Sequence, residues 1–85
     1  MKITVRYFAR VREEVGAGVE RHEVPDAVET LGALRDWLSR QSRRNAQALA
    51  PELALRMACD QVMGEAVTTL RPDCEVAFFP PVTGG

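Results

Sequence analysis

Thr30-Leu31-Gly32-Ala33-Leu34-Arg35-Asp36-Trp37-Leu38 is the stretch that decides the fold. Leu31, Leu34, Trp37 and Leu38 recur at i, i+3, i+6 and i+7, which places them on one side of a helix, and Thr30 is a residue type that caps helix starts. That side is the expected core face. The other strongly periodic stretches read as strands, so one main helix has to be covered by a sheet.

Upstream, Lys2-Ile3-Thr4-Val5-Arg6-Tyr7-Phe8 alternates, with Ile3, Val5 and Tyr7 on one side and Lys2, Thr4 and Arg6 on the other. This is the period of a half-buried strand. Ala9 to Val15 predicts a short helical turn, since Val11 and Val15 are four apart, and Gly16-Ala17-Gly18 ends it in a loop. Val19 to Val24 predicts an antiparallel strand closed by Pro25-Asp26.

Downstream of the helix, Arg40, Arg43 and Arg44 are expected at its C-terminal end, where cations suit the helix dipole; a basic binding patch is the sharper alternative. Asn45 to Leu49 predicts one more helical turn, halted by Pro51. Leu55 to Val62 then reads as a strand, Met63-Gly64-Glu65 as a turn, Ala66 to Leu70 as a short strand and Arg71-Pro72-Asp73 as a second turn. Glu75 to Phe79 is the last strand, stopped at Pro80-Pro81 because proline donates nothing to a ladder. A mixed sheet wrapping one amphipathic helix satisfies this order with a single core, an α+β fold of the β-grasp or ubiquitin-like roll type. The expected organisation is one domain over residues 1–80 and an extended, flexible tail over 81–85.

Composition narrows the function. The 85 residues carry 11 Lys and Arg against 12 Asp and Glu, a formal charge of −1, and 46% are hydrophobic. Such a chain is globular, and it has no global field to recruit nucleic acid or an anionic membrane. A chain this short builds one core but no deep substrate pocket as well, so function is expected on its surface or at its ends. No apolar run approaches the length of a membrane-spanning helix, and Arg6, Arg10 and Arg12 interrupt the N-terminus where a signal peptide needs its apolar stretch; a cytoplasmic location is expected. Cys59 and Cys74 are too few for a disulfide framework, and with one histidine they cannot complete a zinc site, so both are expected as buried small hydrophobes. No metal and no bound cofactor are expected. His22 reads as a solvent-facing strand residue rather than a general base. Gly16-Ala17-Gly18 is too short to cradle a phosphate, and Glu13 and Glu14 point in different directions on a helix.

The closing residues stand apart. Pro80-Pro81 extends the chain in a polyproline-like direction, and Val82-Thr83-Gly84-Gly85 follows. From Pro81 to Gly85 an extended chain reaches roughly 15 Å, the depth of a partner's cleft. Gly84 and Gly85 lack Cβ atoms and can enter a channel too narrow for other residues. The carboxylate of Gly85 is then the candidate reactive group. Ionised at neutral pH, it is a poor electrophile and needs activation, typically as an acyl-adenylate, before a nucleophile can displace the leaving group. A frayed glycine tail is the alternative.

Glu75-Val76-Ala77-Phe78-Phe79-Pro80-Pro81-Val82-Thr83-Gly84-Gly85 resembles the C-terminal signature of the molybdopterin synthase small subunits, the MoaD-type sulfur carriers. Tyr7-Phe8-Ala9-Arg10-Val11-Arg12-Glu13 with Val15-Gly16 resembles that family's first strand and following turn, and Thr30 to Leu38 falls where it has its helix. The resemblance implies a β-grasp fold and adenylation of the Gly85 carboxylate by an E1-like enzyme that uses ATP. It further implies conversion to a thiocarboxylate by a sulfur-donating enzyme, and transfer of that sulfur to a pyranopterin precursor in molybdenum cofactor biosynthesis. The partner would be the large synthase subunit, in a heterotetramer, and this chain would be a sulfur donor rather than the catalyst. Phe79, Pro80, Pro81, Val82, Thr83 and Gly84 would meet the partner, with Phe79 rather than Phe78 facing outward. Cys74 stands at a turn position where the family commonly has Gly, which leaves the local turn type open because positive φ is costly for Cys. A ubiquitin-like modifier conjugated through Gly85, a thiamine-pathway sulfur carrier and a plain interaction domain are the competing readings. As the sole lysine, Lys2 leaves little scope for branched self-chains.

Overall fold

The structure, a computed structural model, describes residues 1–81. The alternation of the first strand, β1 (Lys2–Tyr7), drives the architecture: Ile3, Val5 and Tyr7 are buried while Lys2 and Arg6 stay exposed. β1 pairs antiparallel with β2 (Val19–Glu23) on one side and parallel with β5 (Glu75–Phe79) on the other. β3 (Arg56–Cys59) runs antiparallel to β5, and β4 (Val62–Gly64) antiparallel to β3, giving the order β2-β1-β5-β3-β4. First and last strands therefore lie side by side in a mixed sheet of five strands, as a β-grasp roll requires.

Register aligns the core in rows across the sheet. Val5 faces Val76, which faces Cys59; Tyr7 faces Phe78, which faces Met57. Tyr7 and Phe78 stack with ring centroids 6.2 Å apart. Onto these rows α2 (Leu31–Ser39) lays Leu31, Leu34 and Leu38, all fully buried, and the Thr30 hydroxyl caps it by accepting from the Ala33 N–H at 3.1 Å. Trp37, expected on the core face, is only half-buried and packs at the rim of the core. At 100° per residue it lies roughly 90° from the centre of the leucine stripe.

The short helices behave differently. α1 (Ala9–Val15) forms as expected, burying Val11 and Val15, and ends at Gly16 with φ 89°, a left-handed conformation that favours glycine. α3 (Arg43–Ala48) starts two residues before the expected turn, because the Ser42 side chain accepts from the Asn45 N–H at 3.0 Å and caps it there. The arginines do not gather at the end of α2. Arg40 pairs with Asp36 at 3.0 Å, whereas Arg43 and Arg44 belong to α3, and Arg44 Nε donates to the Glu14 carbonyl at 3.0 Å.

Residues 55–70 depart most from expectation. The strand expected over 55–62 is cut by a two-residue hairpin turn, Asp60-Gln61, with φ of 49° and 67°, and the expected turn at Met63-Gly64 is instead the end of β4. Both residues accept positive φ without being glycine because tertiary bonds hold Asp60. Its backbone N–H donates to the Glu75 carbonyl at 2.7 Å, and its carboxylate accepts from the Glu75 N–H at 2.9 Å and from Arg71 at 2.7 Å. Those two contacts also hold the exposed Asp60 carboxyl below its ordinary pKa, the backbone N–H contributing most.

The short strand expected over 66–70 is also absent, apart from a single bridge between Thr69 and Thr30. Its backbone serves α2 instead: Leu31 N donates to Thr68 O and Gly32 N to Ala66 O, both at 2.9 Å. Helix starts leave such N–H groups unpaired, and this loop satisfies two of them. Gly32 permits the approach, since a Cβ there would stand 3.0 Å from the Ala66 carbonyl oxygen. The turn before β5 places positive φ on Asp73, at 63°, so Cys74 carries no such strain and is buried.

Because Phe78 is fully buried in the central row, Phe78→Ala should lower the unfolding free energy by about 3–5 kcal/mol, measured by urea denaturation. A loss below about 1 kcal/mol would contradict this account of the core.

Candidate functional site

β5 decides how the functional end of the chain is held. It is the central strand, hydrogen-bonded on both sides, so its last residues leave the most constrained part of the sheet. Alternation along it sends Phe78 into the core and Phe79 to the opposite face, where it is half-buried. Phe79 meets Phe8 edge to face, with centroids 6.4 Å apart, a favourable geometry for aromatic pairs. The Phe8 N–H donates to the Phe78 carbonyl at 3.1 Å, which continues the β1–β5 ladder past the end of β1 and fixes the two rings together.

This opposite face is open. The apolar side chains of α2 lie on the row of Val5, Val76 and Cys59, so the other side of the sheet is left without a helical cover among the described residues. One row crosses all five strands there: Val19, Arg6, Ala77, Ala58 and Met63 are successive register partners. Phe8, Val19 and Met63 are 46%, 49% and 52% exposed. Arg6 is held against Glu75 at 3.0 Å, and exposed Arg56 stands opposite Phe79. The result is an apolar surface with charged groups set into it, continuous with the base of the tail. Apolar surface of this kind marks a protein contact.

Of the residues read from sequence as the site, Phe79, Pro80 and Pro81 are described, all half-buried, and Pro81 lines an open hollow of about 350 Å³ with Arg56 and Met63. Val82, Thr83, Gly84 and Gly85 lie outside the described residues. Phe8, Ala58 and Met63 were not singled out from sequence. Phe8 carried a usable signal, since the alternation of β1 puts it on the side of Arg6. Ala58 and Met63 carried none until the hairpin turn was placed.

His22, expected to face solvent, is half-buried on the helix side of the sheet. Its Nε2 lies 3.1 Å from the Glu20 carboxylate and its ring meets Trp37 edge-on at 5.5 Å. The same carboxylate accepts the Tyr7 hydroxyl at 3.0 Å; burial first, then the charge of Glu20, raise the phenol pKa and keep it protonated. Tyr7–Glu20–His22 is thus a network that satisfies a buried hydroxyl. Cys59 and Cys74 are free thiols and are buried, as expected. Among the described residues, no group of three His, Cys, Asp or Glu side chains is placed to hold a metal ion, and no helix is long and apolar enough to cross a membrane.

Comparison with known proteins adds four findings. The ThiS family model matches residues 5–85. The molybdopterin synthase sulfur carrier subunit of Escherichia coli (strain K12) is 43% identical over 98% of this chain and 99% of its own length. Among solved structures, small archaeal modifier protein 1 of H. volcanii superposes with a TM-score of 0.75 at 21% identity, covering 95% of this chain and 98% of that one. The complex of subunits 1 and 2 of molybdopterin-converting factor from Helicobacter pylori 26695 matches with a TM-score of 0.65 at 21% identity and full coverage of both chains. These two structures attest the fold, and the match to the E. coli protein attests the family. The chain belongs to the ThiS family and, within it, to the molybdopterin synthase small subunits, the MoaD-type sulfur carriers.

Proposed function

We propose that this chain is the sulfur-carrying small subunit of a molybdopterin synthase and that the Gly85 carboxylate is its reactive group. The observation that carries the reading is the open sheet face at the base of the tail, with Phe8 and Phe79 locked edge to face beside the end of the central strand. A carrier has to present one end of its chain to successive enzymes. A rigid docking surface adjoining that end gives each partner the same registration of the four residues beyond Pro81. The family match running through residue 85 supports placing the chemistry there.

In this reading a carboxylate oxygen of Gly85 attacks the α-phosphate of ATP on an activating enzyme, pyrophosphate leaves, and an acyl-adenylate forms. A sulfur nucleophile from a donor enzyme then displaces AMP at the acyl carbon, giving the thiocarboxylate. Seated in the large subunit, the thiocarboxylate sulfur attacks a carbon of the pyranopterin precursor, a C–S bond forms, and an oxygen substituent leaves from that carbon. Water then cleaves the acyl–sulfur bond, leaving sulfur on the precursor and restoring the carboxylate. ATP, precursor and catalytic side chains all belong to the partners, and this chain contributes the tail and the docking face.

Two outcomes test it. Deleting Gly85, or fusing a tag behind it, should abolish molybdopterin formation in an assay reconstituted with the partners, while urea denaturation of the variant matches wild type, because neither change touches the core. Activity from a variant whose tag is still attached by mass would overturn the role of Gly85. Phe79→Ala should weaken calorimetric binding to the large subunit by about thirtyfold, about 2 kcal/mol, the loss typical of an aromatic anchor. Unchanged affinity would remove Phe79 from the interface, and Phe78 cannot replace it because it is fully buried.

A further inference from the structure

We propose that Cys59 and Cys74 form a reversible intramolecular disulfide, a covalent modification site independent of the tail and of the carrier function. Cys59 is the last residue of β3, and Cys74 immediately precedes β5. In the β3–β5 register Cys59 stands opposite Val76, and beyond it Asp60 N donates to the Glu75 carbonyl at 2.7 Å. Cys74 is therefore the diagonal neighbour of Cys59 on the core face, two residues from Val76, and the two thiols are within hydrogen-bonding reach of each other. Both cysteines are nearly inaccessible, 6% and 3% exposed.

Two features make the pair more than filler. Asp60 clamps the backbone on both sides: its carboxylate takes the Glu75 N–H at 2.9 Å and the Arg71 guanidinium at 2.7 Å, so the segments carrying the two thiols are already fixed together. A cleft of about 500 Å³ also reaches the site, with Cys59, Met63, Thr68 and Arg71 in its wall. Cys59 borders this cleft and Cys74 does not, so a small oxidant meets Cys59 first and Cys74 is its resolving partner.

A peroxide fits this access. The Cys59 sulfur attacks one peroxide oxygen, the O–O bond breaks, and the departing oxygen leaves as water once protonated, giving a sulfenic acid. The Cys74 sulfur then displaces the hydroxyl from that sulfur, its own proton leaving with the hydroxyl as a second water. The two thiols lose two electrons and two protons, and the peroxide is reduced to two waters. Burial first, then Cys74 and the charge of Asp60, push the Cys59 thiol up to about 11, with Arg71 opposing them. Held protonated, the Cys59 thiol reacts slowly with peroxide at neutral pH, and the pair oxidises faster as pH rises toward that value.

The test uses the whole wild-type chain, incubated with hydrogen peroxide, quenched, unfolded and treated with a thiol-alkylating reagent. Intact mass should show a loss of about 2 Da and no alkylation, with two alkylatable thiols restored by a dithiol reductant. Cleavage after Glu52, Glu65 and Glu75 places the cysteines on separate peptides, so the expected product is a linked pair that reductant separates. Two alkylated thiols after peroxide treatment, oxygen added to one sulfur without a link, or a disulfide only between chains would each overturn the proposal.

Discussion

The parallel pairing of β1 with β5 is the constraint on which the rest of the molecule depends. Parallel neighbours cannot be joined by a tight turn, so the chain between residues 7 and 75 has to cross a face of the sheet before β5 can return beside β1. α2 fills that crossing and buries its leucine stripe on one face; β2 and β3 then extend the sheet on either side of the central pair. The same pairing puts the last strand in the middle of the sheet. Pro80 and Pro81 thereby follow a strand held by two ladders rather than an edge strand.

The two faces of β5 divide the core from the open surface. Val76 and Phe78 point into the core and carry the fold, whereas Ala77 and Phe79 point to the open face, where substitution leaves the core intact. Alternation along five residues thus separates two selective pressures that would conflict if one aromatic served both. The Phe8–Phe79 pair links the ends of the two central strands, so the open face is braced there.

Much of this was legible in the residues because it rests on local periodicity. Ile3, Val5 and Tyr7 declare β1, the Thr30 cap and three leucines declare α2, and the position of Phe79 follows from where β5 ends. The failures share a different cause: their conformations are set by distant partners. Asp60-Gln61 lacks the glycine that usually marks a two-residue hairpin, and it turns because Glu75 and Arg71 hold Asp60. Residues 66–70 have strand-like composition, yet their carbonyls are taken by the start of α2. Which face of the sheet stays bare, and hence the exposure of Phe8 and Met63, depends on where the helices pack, which no single stretch records. The adjacency of Cys59 and Cys74 likewise exists only in the β3–β5 register.

In the function proposed above, the chemistry resides on the carboxylate of Gly85. Intact-mass measurement of the chain purified untagged from its native cell tests it most directly, because exchange of one oxygen for sulfur adds about 16 Da to an otherwise unmodified protein and no group of the folded domain need change. The account predicts a population heavier by that amount, lost on mild hydrolysis and confined to the C-terminal peptide that contains Gly85. A chain found only at its unmodified mass, or only in covalent adducts with other proteins through Gly85, would contradict it.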